Sequence, residues 1–295
     1  MVRFRTVSDK FLLAAFAVSI GITLLLILIP VFHAIQLSLY RSESFVSGGT
    51  WVGFDNYLRV IGTPAFWRAF GIGVLFASIT LFLQVGLGLA FALLLDREFF
   101  GRAVVRGLAI LPYLLPTVVV AVGFQWLLDG SLGLFTVWAE ELGLGRPAWY
   151  EDPTLALMIV IAASVWTWTP FVTITFLAGL QSIPKVLYEA ARVDGAGPWS
   201  RFWHVTMPML LPVLLVIVLL RGIWMFNKFD IIWLMTKGGP LSATENLPVL
   251  AYRYAFRQFD IGGGAAVATL SFVLLSIVVF AYFHFYPLEG KEGIT

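Results

Sequence analysis

Tyr188-Glu-Ala-Ala-Arg-Val-Asp-Gly-Ala-Gly-Pro-Trp-Ser-Arg-Phe-Trp-His-Val-Thr-Met-Pro208 is a polar, charged island between two long apolar runs. Together with Ile183-Pro-Lys-Val-Leu before it, its first half reads as a short helix. Pro184 stands at the start, where a first helical turn tolerates proline, and Gly195 suits the left-handed residue that ends a helix. Leu187, Ala190 and Ala191 fall on one face at helical spacing, and the small side chains allow close approach of a partner. Pro198 opens a second short segment with Trp199, Phe202 and Trp203 at i, i+3 and i+4. The island thus predicts helix, glycine hinge, helix. Its aromatic half equally fits an amphipathic connection anchored at the lipid headgroups.

The flanking runs place the island in a membrane protein. Hydrophobic residues make up 60% of the chain and charged residues 12%, against roughly 25% charged in a soluble domain. A spanning helix needs roughly 20 apolar residues to cross about 30 Å of hydrocarbon. Charge-free runs of that kind lie at Phe11–Pro30, Phe70–Leu95, Gly107–Leu128 and Thr154–Ile183. A fifth begins near Val205 and meets Arg221 before Asn227; a sixth covers Ile261–Pro287 with the single titratable residue His284. Lipid offers no partner for free backbone groups, so the runs must be helical. The expected fold is all-α, a polytopic membrane protein with six transmembrane helices. We expect a single domain over 1–295, with a first helix and external loop (1–60), a five-helix core (61–287), and a cytoplasmic loop at 183–208. The first run exceeds a signal-peptide core and lacks a small-x-small cleavage site, so it reads as a retained helix.

Composition also excludes several functions. Cysteine is absent, so neither disulfides nor thiolate metal sites are expected. A net charge of +2 with scattered basic residues does not point to nucleic acid. No G-x-x-x-x-G-K-[ST] phosphate loop is present, so any ATP must be bound by another polypeptide.

Short-loop basic residues set the orientation. Arg3, Arg5 and Lys10 precede the first run, Arg97, Arg102 and Arg106 crowd the second loop, and Lys185, Arg192 and Arg201 lie in the fourth. The segment Gly130–Pro153 instead carries Glu140, Glu141, Glu151 and Asp152 against Arg146. Lys237, Arg253 and Arg257 blunt the tally, but their loop is longer and the rule weakens there. Both termini and the island at 188–208 are expected in the cytoplasm.

Glu-Ala-Ala, Asp-Gly four residues after the first Ala, then an apolar residue before Pro208, resembles the EAA loop of ATP-binding-cassette importer permeases. Trp166-x-x-x-Pro-Phe, Leu177-Ala-Gly-Leu-Gln-Ser-Ile-Pro184, Phe229-Asp230, Leu234-Met-Thr-Lys-Gly-Gly-Pro240 and Gly262–Ala266 extend the likeness. They resemble carbohydrate-uptake permeases of the type related to the larger permease of maltose transporters, with a type I, MetI-like core. The resemblance implies that Glu189, Ala190, Ala191, Asp194, Gly195 and Pro208 form a coupling surface for an ATPase. Met207 replaces the more usual Leu or Ile before that proline. It also implies the partners: a second homologous permease, two cytoplasmic ATPase subunits, an extracytoplasmic solute-binding protein and membrane lipid. No cofactor is expected on this chain, ATP and Mg belonging to the ATPase, and the chain is not itself an enzyme.

Polar groups inside a span are costly, roughly 2.5–3.5 kcal/mol for a central Arg, and mark a pathway. Arg221, Asn227, Lys228 and Asp230 make the fifth span the richest in them. As one helix it puts Phe226, Phe229, Asp230 and Trp233 on a common face, with Asn227 nearby. Rings beside an amide and a carboxylate suit a sugar, and the resemblance also centres substrate contacts here, so Phe226, Asn227 and Asp230 lead the candidates. Trp166 and Thr169, near the helix-bending Pro170, follow as pore-liners, then Gln125 and Trp126. Lys228 and Asp230 also fit an outer membrane edge, snorkelling to water, and Arg221 a structural partner to another helix or to the second permease. His33 and His284 read as interfacial. The turn-rich segment Lys237–Asn246 fits an external gate, a contact for the binding protein or a plain loop. A sugar is the expected cargo, with a polyol or glycerophosphate as rival; a stand-alone secondary transporter using Arg221, Lys228 and Asp230 is the rival from another class, although no internal repeat is evident.

Overall fold

The computed structural model describes residues 9–42 and 49–286, and side chains from residue 13 onward. Arg3, Arg5, the Lys10 side chain and Pro287, which entered the readings above, lie outside these. Five helices are long and apolar enough to cross a membrane, or up to six if one bent pair counts as a span. The chain divides into two compact units, 1–63 with 251–273, and 64–250 with 274–295.

In the first unit, α1 (Asp9–Ser38) is followed by a two-stranded antiparallel ribbon, β1 (Tyr40–Arg41) and β2 (Thr50–Trp51), with Tyr40 opposite Trp51. The short helix α2 (Asp55–Ile61) follows. Buried Asn56 donates to the carbonyls of Ser38 and Tyr40 at 2.9 Å each, pinning the ribbon. Arg59 pairs with Asp260, and this carboxylate raises the guanidinium pKa. Asp260 also accepts the Gly263 N–H at 2.9 Å and caps the last helix. A Cβ at Gly262 would collide with the Tyr40 carbonyl, so only glycine lets the ribbon seat there.

The second unit opens with α3 (Pro64–Asp96), followed by α4 (Arg102–Leu114), α5 (Thr117–Leu127) and α6 (Leu134–Glu141). Its axis is α7 (Pro153–Ser182), in whose most apolar window 67% of residues are buried, against none in α1. Asp152 caps α7 by accepting the N–H groups of Thr154 and Leu155. Next come α8 (Lys185–Val193), α9 (Pro198–Arg201), a wide π turn over Phe202–Thr206, and α10 (Met207–Phe226). The short helices α11 (Asp230–Thr236) and α12 (Leu247–Tyr252) follow; the chain then enters the first unit with a second π turn, Arg253–Arg257, and the first half of α13 (Ile261–Phe285), whose second half belongs to the second unit. One core joins α3, α7 and α10 through Ala92, Phe176, Leu180, Leu210 and Ile217.

The third expected span is bent, and the helical face expected across the end of the fifth is corrected. The run Gly107–Leu128 is not one straight helix: α4 and α5 meet at 92°. Pro116 disfavours helical backbone in the residue before it, and Leu115 is extended, with ψ 135°. The halves are about 20 Å and 17 Å long at 1.5 Å per residue, each too short alone to cross. The fifth span stops at Phe226 and helix resumes only at Asp230. Phe226 and Asp230 therefore do not share the face of one continuous helix.

Candidate functional site

The island at 188–208 folds as helix, glycine, helix. Pro184 precedes α8, Asp194 ends it, and Gly195 adopts φ 79°. No residue of α8 is buried; Glu189, Ala190, Asp194 and Gly195 are exposed, as is Pro208 in the first turn of α10. Of the face expected to meet a partner, Leu187 and Ala190 are exposed and Ala191 is half-buried, as is Tyr188 beside it. Tyr188 packs against the α3–α7–α10 core, and its hydroxyl lies 3.0 Å from that of buried Thr206. Trp199 is 73% exposed, so the aromatic half projects outward around the Trp199–Phe202 and Phe202–Trp203 ring contacts.

Two cations, Arg221 in the last turns of α10 and Lys228 just after it, lie against Trp168. Arg221 is fully buried, donating to Gln84 Oε1 at 2.9 Å, with its guanidinium carbon 5.5–5.9 Å from the ring centroids of Trp168, Phe171 and Trp224. Among the described residues no carboxylate pairs with it. Gln84 in turn donates to the Ser164 carbonyl at 3.1 Å. The guanidinium thus ties α10 to α3 and α7, the structural alternative raised for Arg221. Lys228 stacks over Trp168 and pairs with Asp230 at 3.0 Å. Asn246, read from the sequence only as the end of the turn-rich segment, donates to the Lys228 carbonyl at 2.6 Å and accepts the Val249 N–H, satisfying backbone released by the helix break. Phe229 stacks on Trp233, the rings inclined by 13°.

The remaining sequence candidates are distributed over different cavities. Trp166 and Thr169 line an apolar cavity of about 1060 Å³ with Leu83, Phe91, Met158 and Thr173. Near Pro170, the Thr169 hydroxyl donates to the Val165 carbonyl and that of Thr173 to the Thr169 carbonyl. These bonds flank the Trp166 carbonyl that Pro170 frees rather than filling it. Phe226 lines a separate groove with Phe70, Val74 and Gly222. Gln125 belongs to a third, polar cavity beside Asp129, Tyr150 and Thr236, and donates to the Leu234 and Met235 carbonyls at 2.9 and 3.3 Å, closing the end of α11. There the Ser131 hydroxyl and the backbone amides of residues 132 and 131 lower the Asp129 pKa, while burial pushes the Tyr150 phenol up to about 12. Trp126 is 77% exposed on the outer surface. Gln84 was missed because an amide in an apolar run signals cost, and the role of Asn246 because it lies in a turn-rich segment; only tertiary contacts reveal their partners. Among the described residues no cluster of His, Asp and Glu is arranged to hold a metal ion.

Residues 84–286 match the family described as binding-protein-dependent transport system inner membrane component. The trehalose/maltose transport system permease protein MalF of Thermococcus litoralis is 38% identical over 261 residues, covering 88% of each chain. The sulfoquinovosyl glycerol transport system permease protein SmoG of Agrobacterium fabrum is 32% identical, over 95% of this chain and 92% of that one. Among solved structures, a chain of a bacterial ABC transporter for import of the acidic polysaccharide alginate shares the fold, with a TM-score of 0.82 at 23% identity over 94% of this chain and 95% of that one. The six apolar segments, the exposed Glu189–Gly195 helix end and these matches lead to one conclusion: the chain belongs to the binding-protein-dependent transport system inner membrane components, the multi-pass, non-enzymatic membrane subunits of ABC importers.

Proposed function

We propose that the chain is one of two homologous permeases in an ATP-driven importer of a di- or oligosaccharide. An extracytoplasmic binding protein delivers the sugar, and two cytoplasmic ATPases bind ATP and Mg²⁺. The observation that carries this reading is the outer face of α8: a helix with no fully buried residue, exposing Glu189 and Ala190 and ended by a left-handed glycine, in a chain otherwise dominated by apolar spans. Such a surface has no use within the chain and suits a groove on a partner. The basic loops around Arg97–Arg106 and Lys185–Arg201 support a cytoplasmic position for it and for both termini. The names of the two relatives support a glycoside as cargo.

Closure of the ATPases favours one arrangement of the helices only if the loop feels it, a reciprocal coupling between the two sites. Substrate contact is assigned first to Asn227 and Asp230, with Phe226, at the break between α10 and α11. Irregular backbone beside apolar helices is tolerated where it lines a cavity or is buried in protein. Trp166 and Thr169 line the path, Trp126 contributes a ring at its surface, and Gln125 supports α11.

Co-expression with a cognate ATPase, second permease and binding protein, followed by reconstitution in liposomes, tests this reading. ATP-dependent uptake of maltose, trehalose or a glycosyl glycerol is expected. Sugar uptake by the chain alone, driven by an ion gradient, would instead make it a secondary transporter.

A further inference from the structure

Resting on that reading of α8 as the ATPase-facing helix, we infer that Tyr188 is the positioning residue that passes its displacement to α10, acting through Thr206. The helix α8 has no buried residue and, among the described residues, the Tyr188 hydroxyl makes its one side-chain hydrogen bond, 3.0 Å from Thr206 Oγ1. The Tyr188 ring packs on the core formed by Leu180, Ile183 and Leu210, so the outward helix has an inward foot. Thr206 is buried and ends the π turn that leads directly into α10. Turns of this kind are frequent at functional sites and widen the helix locally. Here the widening brings the Thr206 hydroxyl to the phenol and within 3.5 Å of the Arg201 carbonyl. Downstream, α10 carries Arg221 and ends at Asn227, so a pull on Thr206 acts on the helix that leads to the break. A rigid ring and two hydroxyls form a more direct mechanical route than the chain through the Asp194–Gly197 turn.

The experiment uses the reconstituted importer with Tyr188→Phe, Thr206→Val, Thr206→Ser and the Tyr188→Phe/Thr206→Val pair, measuring complex assembly, ATP hydrolysis and maltose or trehalose uptake. Tyr188→Phe keeps the ring, so assembly and basal hydrolysis persist, while sugar moved per ATP falls by about threefold to tenfold, the factor carried by one ordinary hydrogen bond. Thr206→Val matches it, the pair is no worse than either, and Thr206→Ser stays near wild type. An unchanged sugar-to-ATP ratio in Tyr188→Phe overturns the inference. So does loss of assembly in both Tyr188→Phe and Thr206→Val, which makes the contact purely architectural. A wild-type complex that hydrolyses ATP but moves no sugar fails the functional reading itself, a different outcome from a wild type that works and a Tyr188→Phe variant that works equally well.

Discussion

The Lys228 ammonium lies 3.7 Å from the centroid of the Trp168 ring, whose centroid is also 5.9 Å from the Arg221 guanidinium carbon. One indole on α7 thus serves two cations on either side of the end of α10. Cation–ring attraction reaches about 2 kcal/mol when desolvated, and truncating a buried tryptophan adds a cavity penalty of about 3–5 kcal/mol. Trp168→Leu is expected to lower the thermal unfolding midpoint strongly, and Trp168→Phe, which keeps a weaker ring, to lower it less. Circular dichroism of the purified chain checks the order. Equal midpoints for the two variants would mean that the cations do not use the ring.

Arg221 and Gln84 supply a second test, because a buried hydrogen bond is asymmetric. Removing one partner leaves the other unsatisfied at about 1–3 kcal/mol, whereas replacing both with apolar groups of similar shape is nearly neutral. Arg221→Met strands Gln84 Oε1, now bonded at 2.9 Å. The pair Arg221→Met/Gln84→Leu should therefore be more stable than Arg221→Met alone, with the difference read as a shift in unfolding midpoint. Additive losses would show that the two side chains are not coupled.

Much of this architecture is legible in the sequence because hydropathy and backbone punctuation act locally. The apolar runs announce the spans, and Pro184 and Gly195 bracket α8, since proline fixes its own φ and glycine admits the left-handed one. The bend at Leu115–Pro116 was open to the same reasoning, yet a continuous apolar run outweighed the proline in the expectation. The break after Phe226 is different. Nothing in Phe226-Asn-Lys-Phe-Asp forbids helix, and the break is held by Asn246, which catches the Lys228 carbonyl from 18 residues away. A far greater distance in sequence hides Gln84, 137 residues from Arg221. Helical spacing puts Leu187, Ala190 and Ala191 on one face, but it gives no sign that Tyr188 meets buried Thr206, 18 residues on.

Close helix packing gives a third prediction. A Cβ on Gly88 would lie 2.6 Å from Val172 Cγ1, and one on Gly179 would lie 2.9 Å from Leu210 Cδ2, so α3, α7 and α10 meet at these glycines. Overpacking of this kind costs about 1–3 kcal/mol. Gly88→Ala should lower the unfolding midpoint, whereas Gly86→Ala, with nothing within 4 Å of its Cβ, should leave it unchanged or raise it. Similar behaviour of the two variants would place the contact elsewhere.

Glu189 separates folding from assembly most cleanly. Its side chain is exposed on a helix with no buried residue, and surface substitutions of that kind change stability by about 0.5 kcal/mol or less. Reversing the charge at a partner interface is another matter, since like charges brought together there cost several kcal/mol. Glu189→Lys should therefore leave the unfolding midpoint of the isolated chain within about a degree of wild type while the ATPase is lost from affinity-purified complexes. Gly195→Ala provides the opposite signature. Its φ of 79° is strained for any side chain by about 1–2 kcal/mol, so it should lower the midpoint and disturb the complex together. If Glu189→Lys lowered both properties in parallel, the carboxylate would be supporting the fold of α8. If it changed neither, the exposed face of α8 would not be the surface on which the ATPase sits.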